Sequence, residues 1–424
     1  MSDMPETIIY HIDVNSAFLS WEAVYRLKFL GASLDLRTVP SAVGGDVEQR
    51  HGIILAKSIP AKAYHIKTGE SVPEARQKCQ NLILVPPNYG LYERCSKAFM
   101  NLIREYTPDV EQYSIDEAFM NMTEERALYP DPVRTAEEIR VRIREELGFT
   151  VNIGVSSNKL LAKMASDFEK PDRVHTLFPD EIEGKMWKLP VSELFFVGRA
   201  TSAKLFRLGI YTIGQLAASD PMILEAHLKS YGRLIWNFAN GRDLSAVVAE
   251  APLQKGYGNS TTIAFDVTDE PTARVVLLAL AETVGARLRR DAAMIRVVNV
   301  GIRFSDLSYV SSQGTLNEPT DITWEIYEAA AGIFHRLWNG RPIRHLGIHT
   351  SRVCRDGGRQ ARLFDTRDYV RLSEWERTVD GIRARFGPDS VKRAVFLASP
   401  GIDHLSGGIS REKRTVDYSK QTIR

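Results

Sequence analysis

Cysteine is scarce in this chain: 424 residues hold three, Cys79, Cys95 and Cys354, at no regular spacing. Three thiols cannot staple a polypeptide of this length, and no paired-ligand pattern accompanies them, so a disulfide scaffold is excluded and reduced thiols of a cytosolic protein are expected. Excess charge is also missing, because 55 Lys+Arg against 53 Asp+Glu leave only +2. Whole-chain charge therefore names no partner; only its distribution can. Long apolar runs are absent too. The most apolar helical stretch, Val275 to Val284, is interrupted by Glu282 and followed by arginines, so no membrane span is expected. Met1 to Asp13 carries acidic residues and a short apolar run, which is not the pattern of a signal peptide. Repeats and low-complexity blocks are lacking as well. What is present, 44% hydrophobic and 25% charged residues, is ordinary globular composition. At about 150 residues per domain the length suggests three or four domains.

Thr7-Ile-Ile-Tyr-His-Ile12 has the β-branched and aromatic content of a strand and stops at Asp13. Helical spacing follows from Ser16 to Tyr25, with Asn15 or Ser16 as N-cap. Residues 35 to 76 read as short strands and turns, closing on a helix start at Ser71-Val-Pro-Glu74. A helix is expected from Tyr89 to Tyr106. Two strands, Val110 to Ile115 and Ala118 to Met122, then flank a tight Asp116-Glu117 step. Thr135 to Leu147 reads as a helix, Thr150 to Val155 as a strand, and Asn158 to Phe168 as a helix. Residues 190 to 245 look helical, and 246 to 258 read as a linker. From Thr261 to Val353 the order is βαββαβ, a ferredoxin-like unit. Leu372 to Phe386 is a basic helix without an evident role.

The chemistry lies in carboxylates. Asp13 ends a strand that its apolar pattern buries, and Asp116 and Glu117 sit between two strands of the same region. Buried unpaired charge is costly. For each residue alone a helix cap or a solvated turn is the ordinary explanation. Together, hard oxygen ligands converging on one sheet suit Mg²⁺, which keeps water and takes further ligands from substrate phosphates. Two such ions can activate an attacking hydroxyl and stabilise a leaving oxygen in phosphoryl transfer.

Three blocks carry a family resemblance: His11-Ile-Asp13-Val-Asn-Ser-Ala-Phe18, Tyr113-Ser-Ile-Asp116-Glu117-Ala-Phe, and Gly154-Val-Ser-Ser-Asn-Lys159-Leu-Leu-Ala-Lys163-Met-Ala-Ser-Asp. Over residues 7 to 353 the chain resembles the Y-family (DinB/UmuC-type) DNA polymerases, which perform translesion synthesis. The resemblance implies an α+β right-hand polymerase: a ferredoxin-like palm in two parts (1–31 and 77–188), small fingers (32–76), a helical helix-hairpin-helix thumb (189–245), a linker (246–258), a βαββαβ little finger (259–353) and a C-terminal tail (354–424). It makes Asp13 and Asp116 ligands of two Mg²⁺ ions, with Glu117 and the carbonyl of Val14 completing the sites. Phe18 matches the steric gate that excludes a 2′-hydroxyl. Lys159 matches a triphosphate-binding lysine, and the amides of Asn15, Ser16, Ala17 and Phe18 form a second phosphate cradle. Ala56 and Lys62 are expected on the nucleotide. There the chain departs from the common Thr-Ala-Asn-Tyr-x-x-Arg, since Ala56-Lys-Ser-Ile59-Pro-Ala-Lys62 offers no tyrosine and a point charge in place of the arginine fork. A Gram-positive branch is similar at this block.

For DNA, Leu194 to Ile210 resembles a helix-hairpin-helix, with Gly198 and Lys204 expected at a backbone phosphate and one usual glycine missing. Arg287, Arg303 and Arg344, within a wider cluster that includes Arg289, are expected on a sheet face that follows the DNA backbone, giving sequence-independent, salt-sensitive affinity. Gln360-Ala-Arg-Leu363-Phe364 resembles the peptide by which bacterial polymerases bind the sliding clamp (β subunit), anchored through Gln360, Leu363 and Phe364. The expectation is thus a cytoplasmic, monomeric, low-fidelity polymerase that acts on primer-template DNA and dNTPs. A metal-dependent nuclease or cyclase on the same carboxylates leaves Phe18 and the thumb unused, and a non-catalytic DNA- or clamp-binding accessory leaves the acidic triad unused.

Overall fold

The computed structural model describes residues 7–45, 52–250, 252–355, 359, 368–399 and 401–405. The clamp-peptide residues Gln360, Leu363 and Phe364 lie outside them. Packing divides the chain into two units: residues 1–43, 55–68 and 75–251, and residues 44–54, 69–74 and 252–424.

From its start the chain runs β1 (Ile9–Val14), α1 (Ala17–Phe29), β2 (Ser41–Gly44), β3 (Ile54–Lys57), α2 (Ile59–Ala63), α3 (Val72–Lys78), β4 (Ile83–Val85) and α4 (Tyr89–Ile103). It continues through β5 (Val110–Gln112), β6 (Glu117–Asn121), α5 (Pro132–Arg142), β7 (Val151–Ser156), α6 (Lys159–Ser166) and β8 (Val174–Thr176). Strands β5-β6-β1-β7-β8, in that order, form a five-stranded sheet. All six residues of β1 are buried, as befits a central strand covered on both faces. Its alternation divides the work. Tyr10, Ile12 and Val14 join the core built with α1, α4 and α5. Ile9, His11 and Asp13 face the other way, where Ile9 meets Phe119 and Ala162 of α6.

Several boundaries moved. The helix expected to Leu147 is α-helical to Arg142 and then widens into a π turn, Ile143–Leu147, stopped by Gly148 at φ 86. Ser16 stands at the N-cap of α1 in the left-handed region (φ 48), and its hydroxyl caps nothing. Asn158 does cap α6, accepting from Leu161 N at 2.9 Å. Gly154 of β7 is required by close approach: a Cβ there would lie 1.9 Å from Ala162 O and 2.5 Å from Ser166 N. Helix α6 thus rests directly on strand backbone.

Next come α7 (Ile182–Lys185), α8 (Arg199–Arg207), α9 (Ile213–Ala217), α10 (Pro221–Leu228) and α11 (Ser230–Ala239). Leu205, Ile213, Leu224 and Ile235 pack there in one core with Leu160, Leu161 and Met164 of α6.

The second unit holds β9 (Gly258–Val267), α12 (Glu270–Arg290), β10 (Met294–Phe304), β11 (Tyr309–Thr320), α13 (Thr323–Leu337), β12 (Ile343–Cys354) and α14 (Tyr369–Phe386). The sheet order β11-β10-β12-β9, antiparallel throughout, interleaves two split βαβ crossovers. Helices α12 and α13 share one apolar core with Val298, Val300, Ile302, Leu346 and Ile348. The basic helix α14 has a role after all. Arg289 of α12 pairs with Glu376 at 2.5 Å and Asp380 at 2.6 Å, and Glu282 takes Arg383 at 2.8 Å and Arg393 at 2.6 Å. Charges this enclosed persist only when paired.

Candidate active site

Strand register brings the carboxylates together. Asp13 is the cross-strand partner of Glu117, and the Val14 amide donates to Asp116 O at 3.0 Å. Directly opposed residues point to the same sheet face about 5 Å apart at Cβ, so Asp13 and Glu117 share one side. Asp13 and Asp116 line one cavity of about 340 Å³, together with Val14 to Phe18, Leu55, Ala56, Lys57, Ile59, Lys62, Thr68, Lys170 and Pro171.

Lysines hold the acids. Lys170 bonds Asp13 and lies 2.7 Å from Asp167, while Lys163 Nζ donates to Glu117 Oε1 at 3.0 Å. Ser114 Oγ donates to Asp116 Oδ1 at 2.7 Å. Burial dominates at Asp13 and, with Glu117 and Asp167 adding to it against Lys170, pushes the carboxyl up to about 6. The same contact holds Lys170 above the ordinary lysine range despite its burial. Burial and the surrounding lysines 163, 170 and 159 hold His11 well below the usual histidine value. Among the described residues no three acidic, imidazole or thiol groups are arranged to grip an ion as they stand. The donor set nevertheless fits a hard cation, because two carboxylates, Asp13 and Asp116, bring oxygen donors to one cavity.

The turn after β1 is built by buried amides. Asn15 Nδ2 donates to Asn152 Oδ1 at 3.1 Å, and Asn15 Oδ1 accepts from Asp172 N at 2.9 Å. The Asn15 amide itself donates to Thr150 O at 3.0 Å, so it is spent on the fold. That corrects its expected place in a phosphate cradle. Ala17 and Phe18 open α1 beside the cavity, where first-turn amides have no acceptor within the helix. Phe18 lines the cavity as a half-buried ring stacked on Tyr92 (centroids 4.5 Å apart, 7° between planes).

Lys159 is placed differently from expectation. Both oxygens of Glu111 take its ammonium, at 2.8 and 2.7 Å, and Ala246 O lies 3.4 Å away. It does not line the cavity. Lys57, Lys62 and Lys170 do. Lys170 was legible only as a lysine three residues past Asp167, a spacing that many solvated helix ends share.

The expected DNA contacts sort unevenly. Gly198 has an ordinary φ of −83, and a Cβ there would meet nothing, so neither backbone nor packing demands glycine. Only a three-residue 3₁₀ turn, Val191–Glu193, precedes the hairpin, and Lys204 lies exposed on α8. Arg303 lies on the sheet face opposite the helices, across from His345. Arg287 is on α12, where it donates to Gly258 O at 2.9 Å, and Arg289 is enclosed by α14. The single arginine face is thereby corrected, because α12 packs on the other side of the sheet. Arg344 is half-buried near a register shift.

Residues 12–167 match the model of the impB/mucB/samB family, and residues 254–363 match that family's C-terminal domain. The chain belongs to this family. Among its relatives, the DNA polymerase IV of Clostridium acetobutylicum is 44% identical over 92% of this chain and 98% of its own length. That of Acetivibrio thermocellus is 38% identical over 94% and 99%. A solved Y-family DNA polymerase chimera, Dbh-Dpo4(243-245)-Dbh, matches with a TM-score of 0.70 over 82% of this chain and 99% of that one. At 21% identity that likeness bears on the fold. The resemblance expected from the three sequence blocks is borne out.

Proposed function

We infer that this chain is a template-directed, low-fidelity DNA polymerase of translesion synthesis and repair, adding deoxynucleotides to a primer 3′-hydroxyl. The observation that carries the reading is that Asp13, the cross-strand partner of Glu117, and Asp116 line one cavity rimmed by Lys57, Lys62, Lys170 and Phe18. Family membership implies divalent-metal dependence. We assign two Mg²⁺ ions to Asp13, Asp116, Glu117 and the Val14 carbonyl; when bound they lower the pKa of the attacking hydroxyl and offset charge on the phosphates. The chain's own part is to hold and neutralise. The lysines bind the triphosphate, and Lys170 would give up its contact with Asp13 to hold phosphate. The opening amides of α1 hold the phosphate end, and Phe18 lies under the sugar. The five-stranded sheet is then the palm, residues 32–76 the fingers, α8 to α11 the thumb, and the β9–β12 unit the little finger. Gly198 and Lys204 meet a backbone phosphate, and Arg303 and Arg344 follow the duplex. We propose that the enzyme works as a cytoplasmic monomer. Among the described residues no helix is long and apolar enough to cross a membrane.

Primer extension with Mg²⁺ and dNTPs tests the reading. Template-directed extension supports it, whereas strand cleavage, or DNA retention without turnover, refutes it. The lysines give a sharper version. Lys62→Ala and Lys170→Ala are expected to raise the dNTP KM about tenfold each, the loss of one charge-assisted contact of roughly 1.5 kcal/mol. Lys159→Ala should change it far less. Steady-state kinetics with the same ranking reversed would return the phosphate role to Lys159. We also assign Gln360, Leu363 and Phe364 to the sliding clamp. Deleting 360–364 should abolish stimulation by the clamp and spare basal synthesis; persistent stimulation would refute the assignment.

A further inference from the structure

One buried group near the acids has no part in the chemistry above. His11 lies on β1, fully enclosed, its ring 4.6 Å from that of Phe119. Its cross-strand partner is Gly154, whose missing side chain lets α6 approach until Ser166 and Lys163 reach the imidazole.

Hydrogen-bond arithmetic fixes the direction of each contact. Ser166 Oγ donates to Lys163 O at 2.8 Å, which uses the hydroxyl's one hydrogen. The 2.7 Å contact between Ser166 Oγ and His11 Nδ1 must then run from Nδ1–H to the hydroxyl oxygen. Neutral imidazole with a proton on Nδ1 carries a lone pair on Nε2. Lys163 Nζ lies 3.4 Å from that atom and donates into it. A second hydrogen of the same ammonium goes to Glu117 Oε1 at 3.0 Å. The third is left to aromatic faces, with Phe195 and Tyr113 centroids at 5.3 and 5.8 Å. All three donors of Lys163 are thereby committed. The lysine and serine belong to one helix and the histidine to the strand below, so the ring of bonds closes on itself.

We propose that His11 is a positioning residue for Glu117: its δ-protonated imidazole locks the Lys163 ammonium, and the locked ammonium sets the carboxylate that completes the metal site. The proposal rests on the polymerase reading for its consequence, though not for its geometry. A lysine stem is flexible and an ammonium has no preferred fork. Without an acceptor on its far side, Lys163 is free to follow Glu117 instead of fixing it. Groups behind a metal ligand commonly change affinity 10- to 100-fold.

The test uses the whole chain. Replacing the imidazole in His11→Phe keeps an aromatic ring tilted against Phe119 and removes both polar contacts, while His11→Gln restores an acceptor toward Lys163. The expected result is a roughly tenfold weaker Mn²⁺ affinity of the DNA-free protein by electron paramagnetic resonance, and an equal rise in the Mg²⁺ half-saturation of primer extension, for His11→Phe and Lys163→Met alike. DNA affinity stays at the wild-type value, and His11→Gln recovers much of the loss. If His11 acts through Lys163, the double variant is no worse than Lys163→Met. Additive losses, or wild-type metal dependence in His11→Phe, overturn the proposal. Long-range ¹⁵N–¹H spectra of histidine-labelled wild type decide it even if a variant fails to fold: a protonated Nδ1 and bare Nε2 support it, and the opposite tautomer refutes it. Failure of the wild type to extend primers would sink the polymerase reading, whereas the tautomer and the Mn²⁺ affinities would still judge His11.

Discussion

Asp116→Ala should slow primer extension about 10³-fold while leaving DNA affinity within about twofold, because a direct metal ligand is worth more than the 10- to 100-fold of the groups behind it. Asp116 is the cleanest of the three acids to remove. It is half-exposed, and the bond it makes to Val14 uses its backbone carbonyl, which any residue supplies. Its side chain accepts one charge-assisted bond, from the Ser114 hydroxyl, so the substitution costs the fold about 1.5–3 kcal/mol at most. Asp13 is less clean: removing it strands the half-buried Lys170 with Asp167 alone, mixing folding with chemistry. Single-turnover extension at saturating Mg²⁺, with DNA binding by fluorescence anisotropy, separates the two effects. Activity within tenfold of wild type would remove Asp116 from the catalytic site and with it the proposed metal assignment.

The carboxylates were legible because burial made them improbable. A buried strand as apolar as Ile9–Val14 has no reason to carry Asp13 unless something answers the charge. The Asp116-Glu117 step between two strands raised the same question, and antiparallel register answered both. The roles of the lysines were not legible. Lys159 opens α6 beside a strand end, which suits a phosphate ligand, yet its side chain turns to Glu111, forty-eight residues earlier. Long side chains go where tertiary neighbours pair them, and spacing along the chain does not encode that. The arginines repeat the lesson. Arg287 and Arg289 belong to α12, and what they meet, Gly258 and α14, is set by how helices cover the sheet. Helix α14 showed no role in the sequence, since the acid that holds its arginine, Glu282, lies about a hundred residues away.

Removing the ring of Phe18 should relax sugar selection. The ring is pinned by aromatic neighbours: it stacks on Tyr92, meets Tyr89 edge-on at 6.3 Å and tilts against Trp21 at 6.0 Å. Tyr92 and Trp21 are themselves fully buried, so the ring has nowhere to retreat when a bulkier sugar enters. Forcing one extra hydroxyl against such a wall costs about 1–3 kcal/mol, a factor of roughly 5 to 150. Phe18→Ala is therefore expected to raise kcat/KM for ribonucleotides about 100-fold relative to that for deoxynucleotides. Because discrimination of this kind comes from a clash with the wrong substrate, it can be lost without loss of the right one. The deoxynucleotide rate should stay within about tenfold, set by the packing lost over Tyr92. Phe18→Leu keeps apolar bulk on Tyr92 but not the flat edge, and should fall between the two. Unchanged selectivity in both variants would leave Phe18 as a core residue that happens to border the cavity, and the sugar would have to be read by the backbone of residues 15–17 instead.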